Sequence, residues 1–473
     1  MKAIHLVPDE ILVQFFLVLR EACWQDSDPD LGPVRLTTVP VPILIGGVCK
    51  RWRVLAASTP LLWTEIYMDM NLPSTFGNTL HLFRLFASRS ETSSLDIVLD
   101  FKQETYRGDK SRSASKEQLE LLQSLVDALA ASVERWKSLH ISYAPSFLSM
   151  MEQALARRHP WSMQRLGKLV LTRPAAPGWA GIAQTGTPTS ISIFLSAPNL
   201  RRVDLGESPW RQDLRIPWQQ VEQLDSFYTL DDRDLILLLQ QSPNLVRLDD
   251  LLVVRSPTVI PQRVPIPIYY PLRSLSVRLS GNCTPFLQDV VLPNLHDLRV
   301  AYFSAPQQWE VAISFMSASP ALRRLVLDIQ HYVQISYEDT RSILHALPHL
   351  EELELSHCKT SQQLCSNELF ADLTLAPPAG CDTFALLPNL RILSLVGALA
   401  MDSVIFTAMI RSRSSGVAPG ISALQSLHMY LLKNRASLTL DDLAEVRAIM
   451  GPRAYIRLIT RMPARSPTFP DLL

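Results

Sequence analysis

The sequence predicts an α/β chain: a helical module at the start, then a solenoid of strand–helix units with a parallel concave sheet and outer helices. Three observations predict it. Apolar stripes at helical spacing fill the stretch before Trp63. A unit of the form apolar-x-x-apolar-x-apolar then recurs from Trp136 to Met429. Helix-like segments separate successive copies of that unit.

The first helix is carried by Ile11, Leu12, Phe15, Phe16 and Leu19, with Asp9 and Glu10 in its first turn, where the helix dipole favours negative charge. Cys23 to Ile43 is rich in Asp, Pro and Gly and reads as a loop. Val48, Trp52, Leu55 and Ala56 make the stripe of a second helix, with Lys50, Arg51 and Arg53 off that stripe. Ser58 or Thr59 is placed to cap a third, short helix starting at Pro60, a residue suited to a first turn. Leu61, Leu62 and Trp63 offer more apolar surface than so short an element buries alone. Periodicity by itself fits a docking module and the first helices of an ordinary core equally well.

The ordered residues carry more than periodicity. Val7-Pro8-Asp9-Glu10-Ile11-Leu12, Val48-Cys49-Lys50-Arg51-Trp52 and Leu61-Leu62-Trp63 together resemble the F-box, a three-helix module that docks on the adaptor subunit of cullin–RING ubiquitin ligases. The sequence departs from the family at Val7, where Leu is usual, and in the length of the loop after the first helix. The resemblance implies an SCF-type substrate receptor that catalyses nothing itself and meets cullin through the adaptor. It assigns adaptor contact to Pro8, Ile11, Leu12, Phe15, Val48, Trp52, Leu61 and Trp63, some of which must also hold the three helices together.

Glu65 to Met68 leaves the module, and Leu80 to Ser88 predicts a helix burying Leu82, Phe83 and Phe86. Leu95, Ile97 and Leu99 alternate with Asp96, Val98 and Asp100 as a strand does. This helix, the Arg89-Ser90 step and the strand are similar to the bridge seen in fungal F-box proteins. Gln103 to Lys116 reads as a polar loop, and Glu117 to Val133 as an amphipathic helix with Leu121, Leu125, Ala128 and Leu129 on one side.

The repeated unit reads Leu200/Val203/Leu205, Leu272/Leu275/Val277, Leu295/Leu298/Val300, Leu322/Leu325/Leu327, Leu350/Leu353/Leu355, Leu390/Leu393/Leu395 and Leu424/Leu427/Met429. Weaker copies are Trp136/Leu139/Ile141 and Leu166/Leu169/Leu171; Leu245/Leu248 is a copy whose third position is Asp250. Alternating leucines place one face of a short strand on a core. Pro-Asn ahead of the leucine at Pro198, Pro243, Pro293 and Pro388 ends the previous segment and sets the turn. Helical segments fall at Asp232 to Gln241, Trp309 to Ser317, Tyr337 to Ala346, Met401 to Ile410 and Leu440 to Met450. Each unit buries its apolar face only by stacking on neighbours, which makes degenerate leucine-rich repeats; an α/β sandwich with leucine-rich strands is the alternative. Three interruptions, Arg173 to Ser190, Arg255 to Pro271 and His357 to Leu387, read as loops. The implied domains are 1–68, with a loop at 23–43, a linker over 69–135, the repeat domain over 136–461 and a tail over 462–473.

The 45 basic and 45 acidic residues balance, which points away from a general nucleic-acid or membrane-surface binder. Six cysteines without a CxxC pair fit a reducing compartment, cytoplasmic or nuclear. No uncharged apolar run approaches about 18 residues, so no membrane span is expected. No phosphate loop or nucleophile elbow is present, so no catalytic residue and no cofactor are assigned. His345, His349, His357 and Cys358 read as structural or surface residues rather than a metal site. Asp231-Asp232 and Asp441-Asp442 read as helix caps, and Cys49 as a packing residue. The residues between the inward leucines then face a protein target of unknown identity. Arg247, Arg299, Glu352, Glu354 and Tyr430 are the partner-binding candidates, Tyr430 as an exposed aromatic anchor. A leucine-rich interaction scaffold outside the ubiquitin system is the alternative function.

Overall fold

The computed structural model describes residues 6–25, 39–70, 76–100, 115–142, 145–158, 160–172, 190–206, 214–226, 229–230, 232–254, 268–269, 271–280, 287–288, 290–301, 307–329, 335–357, 365–375, 386–397, 401–414, 421–432 and 438–459. The chain forms two compact units, Met1–Val221 and Glu222–Leu473, so the division falls among the repeats.

The first unit begins with helices α1 (Asp9–Gln25), α2 (Val41–Val48) and α3 (Lys50–Ser58) and a single turn at Pro60–Trp63. Then follow β1 (Glu65–Asp69), α4 (Phe76–Arg89), β2 (Leu95–Asp100), α5 (Lys116–Ala131), β3 (Trp136–Ser142), α6 (Pro145–Ala156), β4 (Lys168–Thr172) and β5 (Arg202–Gly206). The five strands are parallel in sequence order. One buried row, Ile66, Ile97, Leu139, Leu169 and Val203, runs across them in register. Helices α4, α5 and α6 pack side by side.

The second unit contains β6 (Gln223–Ser226), β7 (Thr229–Leu230), α7 (Asp232–Gln241), β8 (Arg247–Val254), β9 (Ile268–Tyr269), β10 (Ser274–Ser280), β11 (Val290–Val291) and β12 (Asp297–Ala301). It continues with α8 (Gln307–Ser317), β13 (Arg324–Ile329), α9 (Tyr337–His345), β14 (Glu352–His357), α10 (Asn367–Leu373), β15 (Ile392–Gly397), α11 (Ser403–Ser414), β16 (Ser426–Leu432), α12 (Leu440–Met450) and β17 (Ala454–Ile459). Its main sheet runs β6-β8-β10-β12-β13-β14-β15-β16-β17, with β7 beside β8; β9 and β11 pair separately. Each neighbouring pair in these sheets is parallel, and α8 to α12 pack in sequence order. Leu224, Leu248, Leu275, Leu298, Leu325, Leu353, Leu393 and Leu427 form its buried row.

A backbone ladder fixes the stacking. The residue after each leading leucine donates its N–H to the equivalent carbonyl one unit earlier. Arg273 N–H bonds to Val246, His296 to Arg273, Arg323 to His296, Glu351 to Arg323, Arg391 to Glu351 and Gln425 to Arg391, all at 2.7–2.9 Å. Asn199 and Asn389 of the Pro-Asn steps also reach back, donating to the carbonyls of Gln164 (2.6 Å) and Pro348 (3.1 Å). The repeated pattern is therefore a leucine-rich-repeat-like stack within each unit.

Several elements differ from the sequence expectation. The first helix extends to Gln25 and the next begins at Val41, so the predicted loop is shorter at both ends. The predicted second helix is two: Cys49 is extended (φ −158°, ψ 169°) and starts α3, its sulfur accepting from the Trp52 N–H at 3.5 Å. Its stripe is consequently split, with Ala56 buried and Val48 exposed. The element at Pro60 is one turn without a side-chain cap, because the Thr59 hydroxyl donates backward to the Leu55 carbonyl at 2.7 Å. Glu65 to Met68 is a strand rather than an exit, and Leu82 is only half-buried while Phe76 and Leu80 join the core. Val98 is buried, as both faces of a parallel strand commonly are. On α5 the buried stripe is Leu122, Leu125, Val126, Leu129 and Ala130, so Leu125 and Leu129 are buried as expected while Leu121 and Ala128 are only half-buried; Ser115 caps the helix reciprocally with Gln118. The last helix is capped by Thr439 with Asp442 as its reciprocal partner, so Asp442 lies inside the first turn.

In the main sheet of the second unit, β6 and β17 lack the expected unit. β6 rests on the buried Val221 and Leu224, whereas the inward positions of β17, Ala454 and Ile456, are only half-buried. The copy at Leu245 keeps its third core position through a bulge: Leu275 pairs Leu248 but Val277 pairs Leu251, which is buried. The interruption at His357 to Leu387 holds α10, started by Ser366, whose hydroxyl accepts from the Leu369 N–H at 3.3 Å. Most of the interruptions at Arg173 and Arg255, and the tail, lie outside the described residues.

Candidate functional site

The first candidate surface is the N-terminal helical module. α1 carries two apolar stripes. Leu12 and Phe16 are buried, at 4% and 0% exposed, and the Phe16 ring meets Trp52 edge-on at 4.9 Å. Ile11, Phe15 and Val18, four and three residues apart, stay 58%, 57% and 62% exposed. A helix apolar on both sides normally hides both. Leu44 and Val48 on α2 and Leu61 in the turn are exposed as well, and α2, α3 and the turn pack on α1.

Polar bonds brace this module from its edges. Arg51 on α3 donates to the Val7 carbonyl at 2.6 Å and through Nε to Asp9 at 2.8 Å, tying the two motif segments together. Arg53 Nε donates to the Gly46 carbonyl at 2.9 Å. Trp63 is 6% exposed, donates Nε1–H to the Ala56 carbonyl at 2.7 Å and packs edge-on against Phe86 at 5.0 Å. Arg20 pairs Glu65 at 3.1 Å and donates to the Thr64 hydroxyl at 3.2 Å.

The eight motif residues thus divide. Pro8, Ile11, Phe15, Val48 and Leu61 are exposed; Trp52 is half-buried; Leu12 and Trp63 belong to the core. Leu12 at 4% exposed, and Trp63 at 6% and packed on Phe86, leave almost no surface for a partner.

The second candidate surface is the leucine-free face of the second unit. Three cross-strand rows line it. Ser274, Asp297, Arg324, Glu352, Ile392 and Ser426 form one, and Arg247 begins it. Arg299, Val326, Glu354, Ser394, His428 and Tyr455 form the next; Asp328, Ser356, Val396, Tyr430 and Arg457 form the third. Arg247 lies two strand spacings from Arg299 but four from Glu352, roughly 19 Å at about 4.8 Å per spacing. It pairs with Asp249 on its own strand. Arg299 pairs Asp328 at 3.5 Å and Glu352 pairs Arg324 at 3.4 Å.

Two candidates differ from expectation. Tyr430 is no exposed anchor: only 5% of it is exposed, and its ring stands 5.7 Å from that of Tyr455. Glu354 is 6% exposed, and burial pushes its carboxyl above the usual range, with Arg299 and Arg324 opposing and Asp328 adding to the rise. Glu354 Oε1, Ser394 Oγ and Tyr430 OH are enclosed and lack a hydrogen-bond partner. Ser394, Asp328 and Tyr455 were not singled out by sequence. Ser394 and Asp328 signal themselves only by alternating with inward apolar residues, as many solvated residues do, and Tyr455 lies on a strand without the leucine unit.

Among the described residues no group of His, Cys, Asp and Glu is arranged to hold a metal ion, and no helix is long and apolar enough to cross a membrane. His345 and His349 are exposed, and Cys358 lies outside the described residues.

No protein-family model matches the sequence. No curated protein matches it either. Solved structures similar to the chain include an internalin from Listeria monocytogenes, with 13% identity over 84% of this chain and 97% of that one, at a TM-score of 0.30. The leucine-rich repeat domain of APL1B is similar with 13% identity over 73% of this chain and 94% of that one, at a TM-score of 0.27. The leucine-rich-repeat-like fold rests on the strand register and backbone ladder of the chain itself.

Proposed function

We propose that this chain is the substrate-recognition subunit of an SCF-type ubiquitin ligase, its N-terminal helices docking on the adaptor and its leucine-free face receiving a target protein. The exposed stripe Ile11, Phe15 and Val18 supports the reading most directly. Ile11 belongs to the F-box-like motif, and Phe15 and Val18 follow it on the same helix, whose opposite side already supplies the core. Exposed apolar stripes of this kind mark docking surfaces. Val48 and Leu61 add apolar surface from elements packed on α1. Adaptor contact is assigned to Pro8, Ile11, Phe15, Val48 and Leu61, with Trp52 at the margin and Leu12 and Trp63 as supports. The adaptor brings cullin; the chain itself contributes no chemistry.

The test is co-purification of the full chain with the ligase adaptor, wild type beside Ile11→Asp with Phe15→Asp. Stable binding lost in the folded double variant supports the reading. A folded wild type that captures no adaptor overturns it and leaves a leucine-rich scaffold outside ubiquitin ligation.

A further inference from the structure

On the leucine-free face of β14 to β16, three oxygens face the same side of the sheet without hydrogen-bond partners. Glu354 and Ser394 are register partners on adjacent strands, and Tyr430 lies on the next strand, two residues beyond Ser394's own partner His428. All three side chains are at least nine-tenths buried: 6%, 2% and 5% exposed. Neighbouring pairs could have satisfied one another, since the register places Glu354 beside Ser394, yet Oε1 of one and Oγ of the other each lack a partner. Leaving buried oxygens unmatched costs stability, and native proteins seldom keep several together without a use.

The surrounding charges set the sign of what fits. Arg299, Arg324 and Arg457 face Asp297, Asp328, Glu352 and Glu354 across β12 to β17, which leaves one carboxylate in excess. Arg299 is engaged by Asp328 and Arg324 by Glu352, and neither bonds Glu354 Oε1. Tyr455, at the outer strand, is 46% exposed and packs near both His428 (6.2 Å) and Tyr430 (5.7 Å), an aromatic wall at the margin.

We propose that Glu354, Ser394 and Tyr430 form a recess for a lysine ammonium of a partner protein. An ammonium offers three donors and no acceptor, which matches three unpartnered oxygens, and its charge offsets the surplus carboxylate. The half-exposed ring of Tyr455, packed near Tyr430, accepts the aliphatic stem and the cation's approach. This deepens the reading of the face as the partner surface and rests on it, but it does not depend on adaptor docking.

The probe is n-butylammonium chloride, titrated into the full chain with tyrosines labelled by fluorine and followed by NMR. Saturable shifts confined to Tyr430 and Tyr455 are expected, with affinity about tenfold or more weaker in Glu354→Gln. Burial raises the Glu354 carboxyl, so the titration is also expected to tighten as pH rises and the group gives up its proton. Asp328, Glu352, His428, Arg299, Arg324 and Arg457 face the same region, and the Glu354→Gln variant separates its titration from theirs. Glu354→Gln is also expected to raise the melting temperature, because it removes a buried charge; a merely structural carboxylate would lower it. No saturable shift in a folded wild type, or equal binding by Glu354→Gln, overturns the proposal. Adaptor capture is read separately, and target capture by a Glu354→Gln chain that has lost butylammonium would leave the partner surface standing without the lysine recess.

Discussion

Arg413 donates from Nη1 to the Leu387 carbonyl at 3.0 Å, and Leu387 holds a left-handed backbone, φ 52°, uncommon for a branched side chain. The same guanidinium donates to the carbonyls of Leu373 (2.6 Å) and Leu386, while the residue is fully enclosed. One side chain of α11 therefore closes both the end of α10 and the loop entering the next unit. Arg413→Met would keep the stem but strand the carbonyls of Leu373 and Leu386 and leave that of Leu387 with only the Leu390 N–H at 3.2 Å, at ~3 kcal/mol or more in total. Urea unfolding of the variant should reveal that loss; an unchanged midpoint would remove Arg413 from its organising role.

Trp63 joins the helical module to α4 through its contact with Phe86 and its bond to Ala56. Trp63→Ala is expected to cost about 3–5 kcal/mol and to loosen the module. Limited proteolysis checks this: cleavage within α1 to α3 should accelerate while the second unit stays resistant.

Within the motif, exposure separates two classes of substitution. Ile11→Asp and Phe15→Asp should each leave stability within about 0.5 kcal/mol, whereas Leu12→Ala should cost roughly 2–5 kcal/mol. Melting curves measured beside adaptor capture distinguish lost contact from lost fold. Equal destabilisation by all three would mean that Ile11 and Phe15 are not on a free surface.

Glu65 sits at the start of β1 against Arg20. Burial raises its carboxyl to about 7, with Asp96 and Glu21 adding repulsion and Arg20 and Lys137 opposing. The 3.1 Å pairing favours the charged form, but burial is the larger effect. Because the folded-state value lies above the unfolded one, the stability this group contributes is complete below about 4.5 and lost as pH climbs through about 7. Glu65→Gln, neutral throughout, should gain on wild type by on the order of 1–3 kcal/mol between about pH 5 and about pH 8. Denaturant titrations at both pH values test it, and a constant difference would place the carboxylate in its ordinary range.

Leucine spacing was enough to locate β3, β4, β5, β8, β10 and β12 to β16, because a period of two on a short strand is a local property of the chain. Helices α7 and α12 were legible to the residue for a similar reason: apolar periodicity and an acidic start are encoded within one segment. β6 escaped because Ser226 stands where the third apolar residue was sought, and α10 because prolines and a glycine after it made the whole interval look like loop.

Which apolar residues face outward was a tertiary decision. Ile11 and Leu12 are chemically alike and adjacent, and only the packing of α2, α3 and the turn on α1 leaves one exposed and encloses the other. The same holds for Glu354, Ser394 and Tyr430, which come from units 30 to 40 residues apart; their meeting depends on strand register. Local sequence sets the period and the turn because those act between near neighbours. Enclosure and unmatched oxygens arise only when distant segments stack, since desolvation depends on everything that surrounds a group.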